Sequence, residues 1–128
     1  MNIGIKNKIE LNVTEDKTAK VVGSGTLDVF ATPAMIALME QTAAESVEKE
    51  LDEGMTTVGI KINVDHLAAT PIGMKVYCES TLVQEEGRKL IFEIEAFDEA
   101  GRIGKAYHER FIVDSARFMG KTLSKLEK

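Results

Sequence analysis

Apolar and polar residues change their spacing several times along the chain, and each change predicts an element. Lys8 to Val13 and Lys20 to Gly23 carry short alternating or β-branched runs separated by TEDKTA, which predicts one or two opening strands. From Val29 to Ala44 the chain is apolar almost all round, whereas from Glu45 to Glu53 charge enters one side. This predicts one long helix with a deeply buried front half and a solvated back half. Thr32 is placed to cap it, because a hydroxyl can accept an orphan amide hydrogen bond, and Pro33 at the first helical position loses no bond the helix needs. Gly54, just past Glu53, suits the left-handed residue that ends a helix.

Beyond Gly54 the period becomes two. Val58, Ile60, Ile62, Val64 and His66 share one face of a predicted strand, and Gly59, Lys61, Asn63 and Asp65 share the other. AATPIG interrupts it, and extended runs follow at Met74 to Val83, Lys89 to Phe97 and Arg102 to Val113, joined by the glycine-bearing turns EEGRK and DEAGR. These four strands are expected to form an antiparallel meander. With the opening strand they give an α+β arrangement, one long central helix wrapped by a sheet of about five strands. A helix apolar on most sides needs more cover than five strands provide, so a twofold-related second copy, a homodimer, is expected. The segment MGKTLSKLEK, 119–128, reads as a polar, frayed tail. No repeat or linker divides the 128 residues, which read as one domain.

Charge and composition narrow the partners. With 16 Lys+Arg against 21 Asp+Glu the net charge is -5, which offers no broad basic surface for nucleic acid. A few local cations can still hold a phosphorylated small molecule. The one cysteine, Cys78, has no partner for an intrachain disulfide and no nearby ligand spacing for zinc, so no metal is expected. The opening MNIGIKNKIELNV is too short, too charged and too alternating for a signal peptide, and no apolar run reaches membrane-spanning length. A cytoplasmic chain with no membrane partner is the expectation.

Glu40 is the only charged side chain between Val29 and Ala44. Desolvation there would raise its pKa and suit it to act as general base or nucleophile, although a Glu reaching solvent from a helix face is the plain alternative. His66 ends the apolar face of its strand and points to the core or a pocket, where a histidine serves either structure or catalysis. Thr32 can cap the helix, present a hydroxyl beside the first-turn amides where an oxyanion would be stabilised, or do both. Eight residues separate Thr32 from Glu40, about 12 Å along one helix, so opposite protomers with antiparallel helices would have to bring them to one carbonyl. Gly59 allows a ligand close to the backbone or marks a bulge. His108 and Glu109 are neighbours on a strand and face opposite ways. Arg88, Lys89, Arg110 and Arg117 are candidates for phosphates, and Met35, Met39 and Phe30 line either an adaptable apolar pocket or plain core.

The stretch VFATPAMIALMEQTA, followed by TVGIKINVDHLAATPIGMKV and IGKAYHERFIV, resembles the hotdog-fold thioesterases of the fluoroacetyl-CoA thioesterase-like family over nearly the whole chain. The resemblance implies a hotdog fold that dimerises into a double hotdog, with a tetramer of two such dimers as a further option. It implies hydrolysis of a small-molecule acyl-CoA at the subunit interface by Thr32, Glu40 and His66, with no cofactor beyond the CoA of the substrate. Gly59, Phe30 and Arg110 are the expected substrate contacts. In this mechanism amides at the helix start polarise the thioester carbonyl, Glu40 attacks or activates water, and His66 orients water or protonates the thiolate. Nothing between Ser24 and Ala31 reads as a fluorine-selective pocket. Two other functions fit such a fold: an acyl-CoA dehydratase or hydratase, distinguished by its product, and a non-catalytic acyl-CoA binder.

Overall fold

In the computed structural model, which describes residues 1–127, five strands form at Lys6–Asn12 (β1), Met55–His66 (β2), Lys75–Glu86 (β3), Lys89–Asp98 (β4) and Gly101–Asp114 (β5). Helices form at Ala19–Val22 (α1), Thr32–Val47 (α2) and Ser115–Leu123 (α3). All strand pairings are antiparallel, and the order across the sheet is β1-β3-β4-β5-β2. The core is the layer between α2 and the sheet. Met35, Leu38, Met39, Ala43 and Val47 meet Val76, Cys78 and Leu82 of β3, Leu90, Phe92 and Ile94 of β4, and Ile103 of β5. This is the expected α+β hotdog arrangement of one helix on a five-stranded antiparallel sheet.

Several sequence expectations are corrected. Only β3, β4 and β5 form the meander; β2 sits at the sheet edge beside β5, so the chain after His66 crosses the sheet to reach β3. Lys20 to Gly23 is not a strand. The Thr18 side chain accepts a hydrogen bond from the Val21 amide, and Gly23, at φ 91°, supplies the left-handed stop, so the two caps override the β-branched pair Val21-Val22 and a short helix forms. Of the tail 119–128, residues 119–126 are likewise not frayed and Lys128 lies outside the described residues: Asp114 accepts from the Arg117 amide and starts α3, and a 3₁₀ turn follows at Ser124–Leu126.

The α2 helix stops at Val47 rather than near Glu53. Val47 is its last core residue, and the EKE that follows tightens into a 3₁₀ turn. Gly54, at φ 83°, therefore belongs to the turn that feeds β2. The helix is also not covered all round within one chain. Thr32, Pro33, Ala37 and Gln41 are exposed, and Ile36, Glu40 and Ala44 are half-buried.

The face assignment in β2 needs one more change. Its register against β5 shifts between Gly59 and Lys61, leaving Ile60 as the extra, bulged residue. Because Gly59 pairs with Arg110 and Ile62 with His108, and Arg110 and His108 share a face, Gly59 lies on the helix side with Ile62, Val64 and His66. Val58 and Ile60 do not belong to that inner set, and Ile60 is 51% exposed.

Candidate active site

The start of α2 and the end of β2 are brought together by the segments that flank them. Phe30 N–H donates to the Thr70 carbonyl at 2.8 Å and Val29 bridges to Pro71, tying the approach to the helix against the loop that leaves β2, while Ala31 N–H donates to the Lys17 carbonyl at 2.9 Å and ties it to the segment before α1. Leu67 N–H donates to Ile103 at 2.7 Å and fixes the strand exit. Thr32 and His66 meet as a result, with Thr32 Oγ1 2.7 Å from His66 Nδ1.

Thr32 is not the N-cap expected from sequence. Ala31 holds that position without any side-chain cap, Thr32 and Pro33 occupy the first turn, and the hydroxyl is free to serve the imidazole. Burial lowers the pKa of His66 and outweighs the raising influence of the Ala68 backbone, so the ring is neutral at pH 7. Its Nε2 is shielded and has no hydrogen-bond partner among the described residues. The pair opens on a cleft of about 370 Å³ whose lining includes Val29, Phe30, Leu67 and Ala68. A hydroxyl on a neutral imidazole, at the electropositive end of a helix whose first amides lack a side-chain cap, can receive a carbonyl oxygen and stabilise charge that develops on it.

Two turns further along α2, Glu40 lies over β2 and β5. Its side chain is 41% exposed in the single chain, so the deep burial expected from the apolar run around it is absent here. Glu40 Oε2 stands 3.9 Å from Arg110 Nη1. Arg110 is itself fixed: Nε donates to Thr57 Oγ1 at 2.8 Å and Nη2 to the Thr57 carbonyl at 2.9 Å. His108 completes the cluster, with Nδ1 2.8 Å from the Lys61 carbonyl and Nε2 3.2 Å from Arg110 Nη1. That geometry requires the tautomer that donates from Nδ1 and accepts at Nε2, and burial accordingly lowers the His108 pKa.

Gly59 makes this close approach possible. A Cβ there would stand 2.8 Å from Glu40 Oε2 and 3.3 Å from the His108 ring, so the glutamate approaches the backbone closely at this glycine. Arg110 is turned inward and 8% exposed, which takes it away from any phosphate in solvent. Glu109 faces away from His108, as expected, and accepts a hydrogen bond from the Tyr107 hydroxyl. Met35, Met39 and Phe30 are core, although Phe30 also backs the Thr32 cleft. Lys89 pairs with Glu86 at 3.5 Å, whereas Arg88 and Arg117 line a separate cleft beside α3. Cys78 is fully buried, and desolvation pushes its thiol up to about 12, so it is inert.

Sequence reasoning missed Thr57 and Gly104. Thr57 carries no charge and declares itself only through the Arg110 hydrogen bonds. Gly104 pairs with His66 across β2 and β5, and a Cβ there would stand 2.8 Å from Met35 Sδ and Cε; its missing side chain lets the first turns of α2 settle close to the strand that carries His66. Among the described residues no helix is long and apolar enough to cross a membrane.

Residues 13–116 match the family model described as "Fluoroacetyl-CoA-specific thioesterase". The fluoroacetyl-CoA thioesterase of Streptantibioticus cattleyicolor is 36% identical over 98 residues, which span 77% of this chain and 70% of that protein. A solved structure of a fluoroacetyl-CoA thioesterase superposes with a TM-score of 0.93 at 30% identity, covering 98% of this chain and 97% of the other. A hot-dog-like protein from Thermanaerovibrio acidaminovorans gives a TM-score of 0.91 at 22% identity over 100% of this chain and 95% of its own, a likeness of fold.

Proposed function

This chain belongs to the fluoroacetyl-CoA-specific thioesterase family and hydrolyses acyl-CoA thioesters, and on that premise we propose that Thr32 and His66 of one protomer act with Glu40 of a twofold-related partner. The observation that carries the assignment is the Thr32–His66 hydrogen bond of 2.7 Å at an uncapped helix start. The thioester carbonyl oxygen is received by the first-turn amides and the Thr32 hydroxyl. Glu40 takes a proton from water as the water oxygen adds to the carbonyl carbon, and as the C–S bond breaks that same proton passes from Glu40 through His66 to the departing thiolate, which returns both side chains to their starting states. The products are a carboxylic acid and free CoA.

Two features support the dimer. The twelve-residue strand β2 is a sheet edge with unpaired backbone groups, which a second β2 would satisfy. The surface of α2 around Pro33, Ile36 and Ala37 is apolar and has no cover within the chain. Pairing two β2 edges antiparallel places the two α2 helices side by side in opposite directions, so the Glu40 of each approaches the Thr32 end of the other.

The direct test is release of thiol, followed with a thiol-reactive dye, from short, medium and aromatic acyl-CoAs. Wild type is expected to release thiol from at least one class. Glu40→Gln and His66→Ala, with unchanged circular dichroism, are expected to lower kcat by about 100-fold or more. Full activity in both variants would remove these residues from the mechanism, and conversion of enoyl-CoA to hydroxyacyl-CoA without thiol release would favour the hydratase reading.

A further inference from the structure

On the reading above that Thr32 and His66 serve the thioester carbonyl, we propose that Asp98 and Thr70 are positioning residues for that pair, a buried carboxylate and hydroxyl that set the start of α2 against the end of β2. Both lie outside the lining of the Thr32–His66 cleft, which ends at Ala69. Thr70 is fully buried and Asp98 is 9% exposed. The Thr70 hydroxyl donates to Asp98 Oδ2 at 2.7 Å, and Asp98 Oδ1 accepts from the Ala100 and Gly101 amides at 2.8 and 3.1 Å. Among the described residues no cation stands within ion-pair distance of Asp98, so these three hydrogen bonds take the place of water around its charge.

The carboxylate is tied to both members of the pair. Thr70, whose hydroxyl it holds, presents its own carbonyl to the Phe30 amide at 2.8 Å, and Phe30 is two residues before Thr32. On the other side, Asp98 and Gly101 are the last pair of the β4–β5 hairpin, and the Asp98 side chain closes that turn by taking two of its amides. Three residues into β5, Gly104 pairs with His66, and the Ile103 carbonyl accepts from the Leu67 amide at 2.7 Å. Displacing Asp98 therefore moves the hydroxyl through Thr70 and Phe30, and the imidazole through the hairpin and β5. Thr32 Oγ1 and His66 Nδ1 stand 2.7 Å apart, a separation that tolerates little of either movement.

Stability alone does not call for a charge here. Asp98 pairs with Val76, a core residue of β3, and so faces the helix side of the sheet, where an apolar side chain would fill space without the cost of taking a charge out of water. What a carboxylate supplies is direction. Its two oxygens aim at donors from two segments, Thr70 on the loop that leaves β2 and the amides of the turn after β4. Hydrogen bonds of this kind, behind the residues that react, hold a reacting constellation to within about 0.5 Å.

Thioester hydrolysis and the histidine ring signals of the full chain are compared in wild type, Thr70→Val, Thr70→Ser and Asp98→Asn. Thr70→Val keeps the shape and removes the donor; kcat is expected to fall about tenfold with KM within about twofold, because misplacement remote from the chemistry acts on the reacting geometry. Thr70→Ser keeps the hydroxyl and is expected to retain the wild-type kcat. Asp98→Asn leaves an acceptor for the turn amides but opposes a donor to the Thr70 hydroxyl, and is expected to be as slow as Thr70→Val. In nitrogen NMR the His66 Nδ1 resonance is expected to shift in both slow variants and to stay in place in Thr70→Ser, while His108, held by the Lys61 carbonyl, serves as an unchanged reference. A wild-type kcat in Thr70→Val with only a lower melting temperature, a Thr70→Ser chain as slow as Thr70→Val, or an unmoved His66 resonance would reduce Asp98 and Thr70 to a structural contact and overturn the positioning role. Should Thr70→Val fail to fold, Asp98→Asn carries the same comparison. Full activity in His66→Ala would instead strike at the thioesterase roles proposed above, and the ring resonances still decide whether Asp98 and Thr70 hold Thr32 against His66.

Discussion

Gly59 shows how one missing side chain can place the carboxylate proposed to react. Its absent Cβ leaves room for Glu40 Oε2, which would otherwise lie 2.8 Å from it, while Arg110 holds the carboxylate from the other side. Gly59→Ala is therefore expected to retain the fold and KM but lower kcat about 10- to 100-fold, because a displacement near 1 Å at a reacting group has effects of that size. Steady-state kinetics alongside a melting curve check it; normal kcat would mean that the Glu40 position is not set by this contact. Thr32, Glu40 and His66 stand out in the sequence as candidates, and the structure brings Thr32 and His66 together and sets Glu40 beside Arg110. The partners that orient them do not stand out. Thr57 and Gly104 carry no chemical signature, and Arg110 read as a phosphate and substrate contact because nothing in the local pattern of β5 reveals that it is buried beneath Glu40.

At the scale of elements, α2 and the four long strands were legible because their periodicity is backed by burial. The errors fell where local hydrogen bonds outweigh hydrophobic pattern. Thr18 and Gly23 make a helical turn of a β-branched segment, and Asp114 starts a helix in a tail that looks unstructured by composition. The β2 bulge is a third case. A perfect alternation from Val58 to His66 predicts one continuous apolar face, yet the extra residue at Ile60 reverses the inside and outside of the strand at that point. That reversal brings Gly59 under Glu40 while His66, six residues later in register, still faces the start of α2. A bulge-free strand could present Gly59 or His66 to the helix, but not both, because the seven-residue offset between them is odd. Strand order was similarly out of reach: sequence proximity favours β2 next to β3, whereas the sheet places β2 against β5 and frees its outer edge.

The whole molecule responds to pH through its two histidines. Burial lowers the pKa of both His66 and His108 below that of an unfolded histidine, about 6.5. Above that value both states carry neutral rings and no stability is lost. As pH falls below it, the unfolded chain binds protons that the folded chain refuses, so stability declines down to the folded-state pKa values. For His108, which is fully buried, the decline reaches up to about 1.4 kcal/mol per pH unit. Urea midpoints at pH 7.5, 6.5 and 5.5 are expected to be similar for the first two and lower for the third. His108→Gln is expected to flatten that dependence, and a parallel decline in wild type and variant would assign it elsewhere.

The central claim is that one reaction site draws on the start of α2 from one protomer and the middle of α2 from the other, and mixed dimers test it most directly. A Thr32→Ala/His66→Ala chain and a Glu40→Gln chain, each inactive as a homodimer, are co-expressed with different tags and the mixed species is purified. If the site forms across the interface, each mixed dimer carries one intact site, with Thr32 and His66 from the Glu40→Gln chain and Glu40 from the other, and recovers about half of the wild-type thiol release. Mixed dimers as inactive as their parents would place Thr32, His66 and Glu40 in one protomer's site and contradict the account.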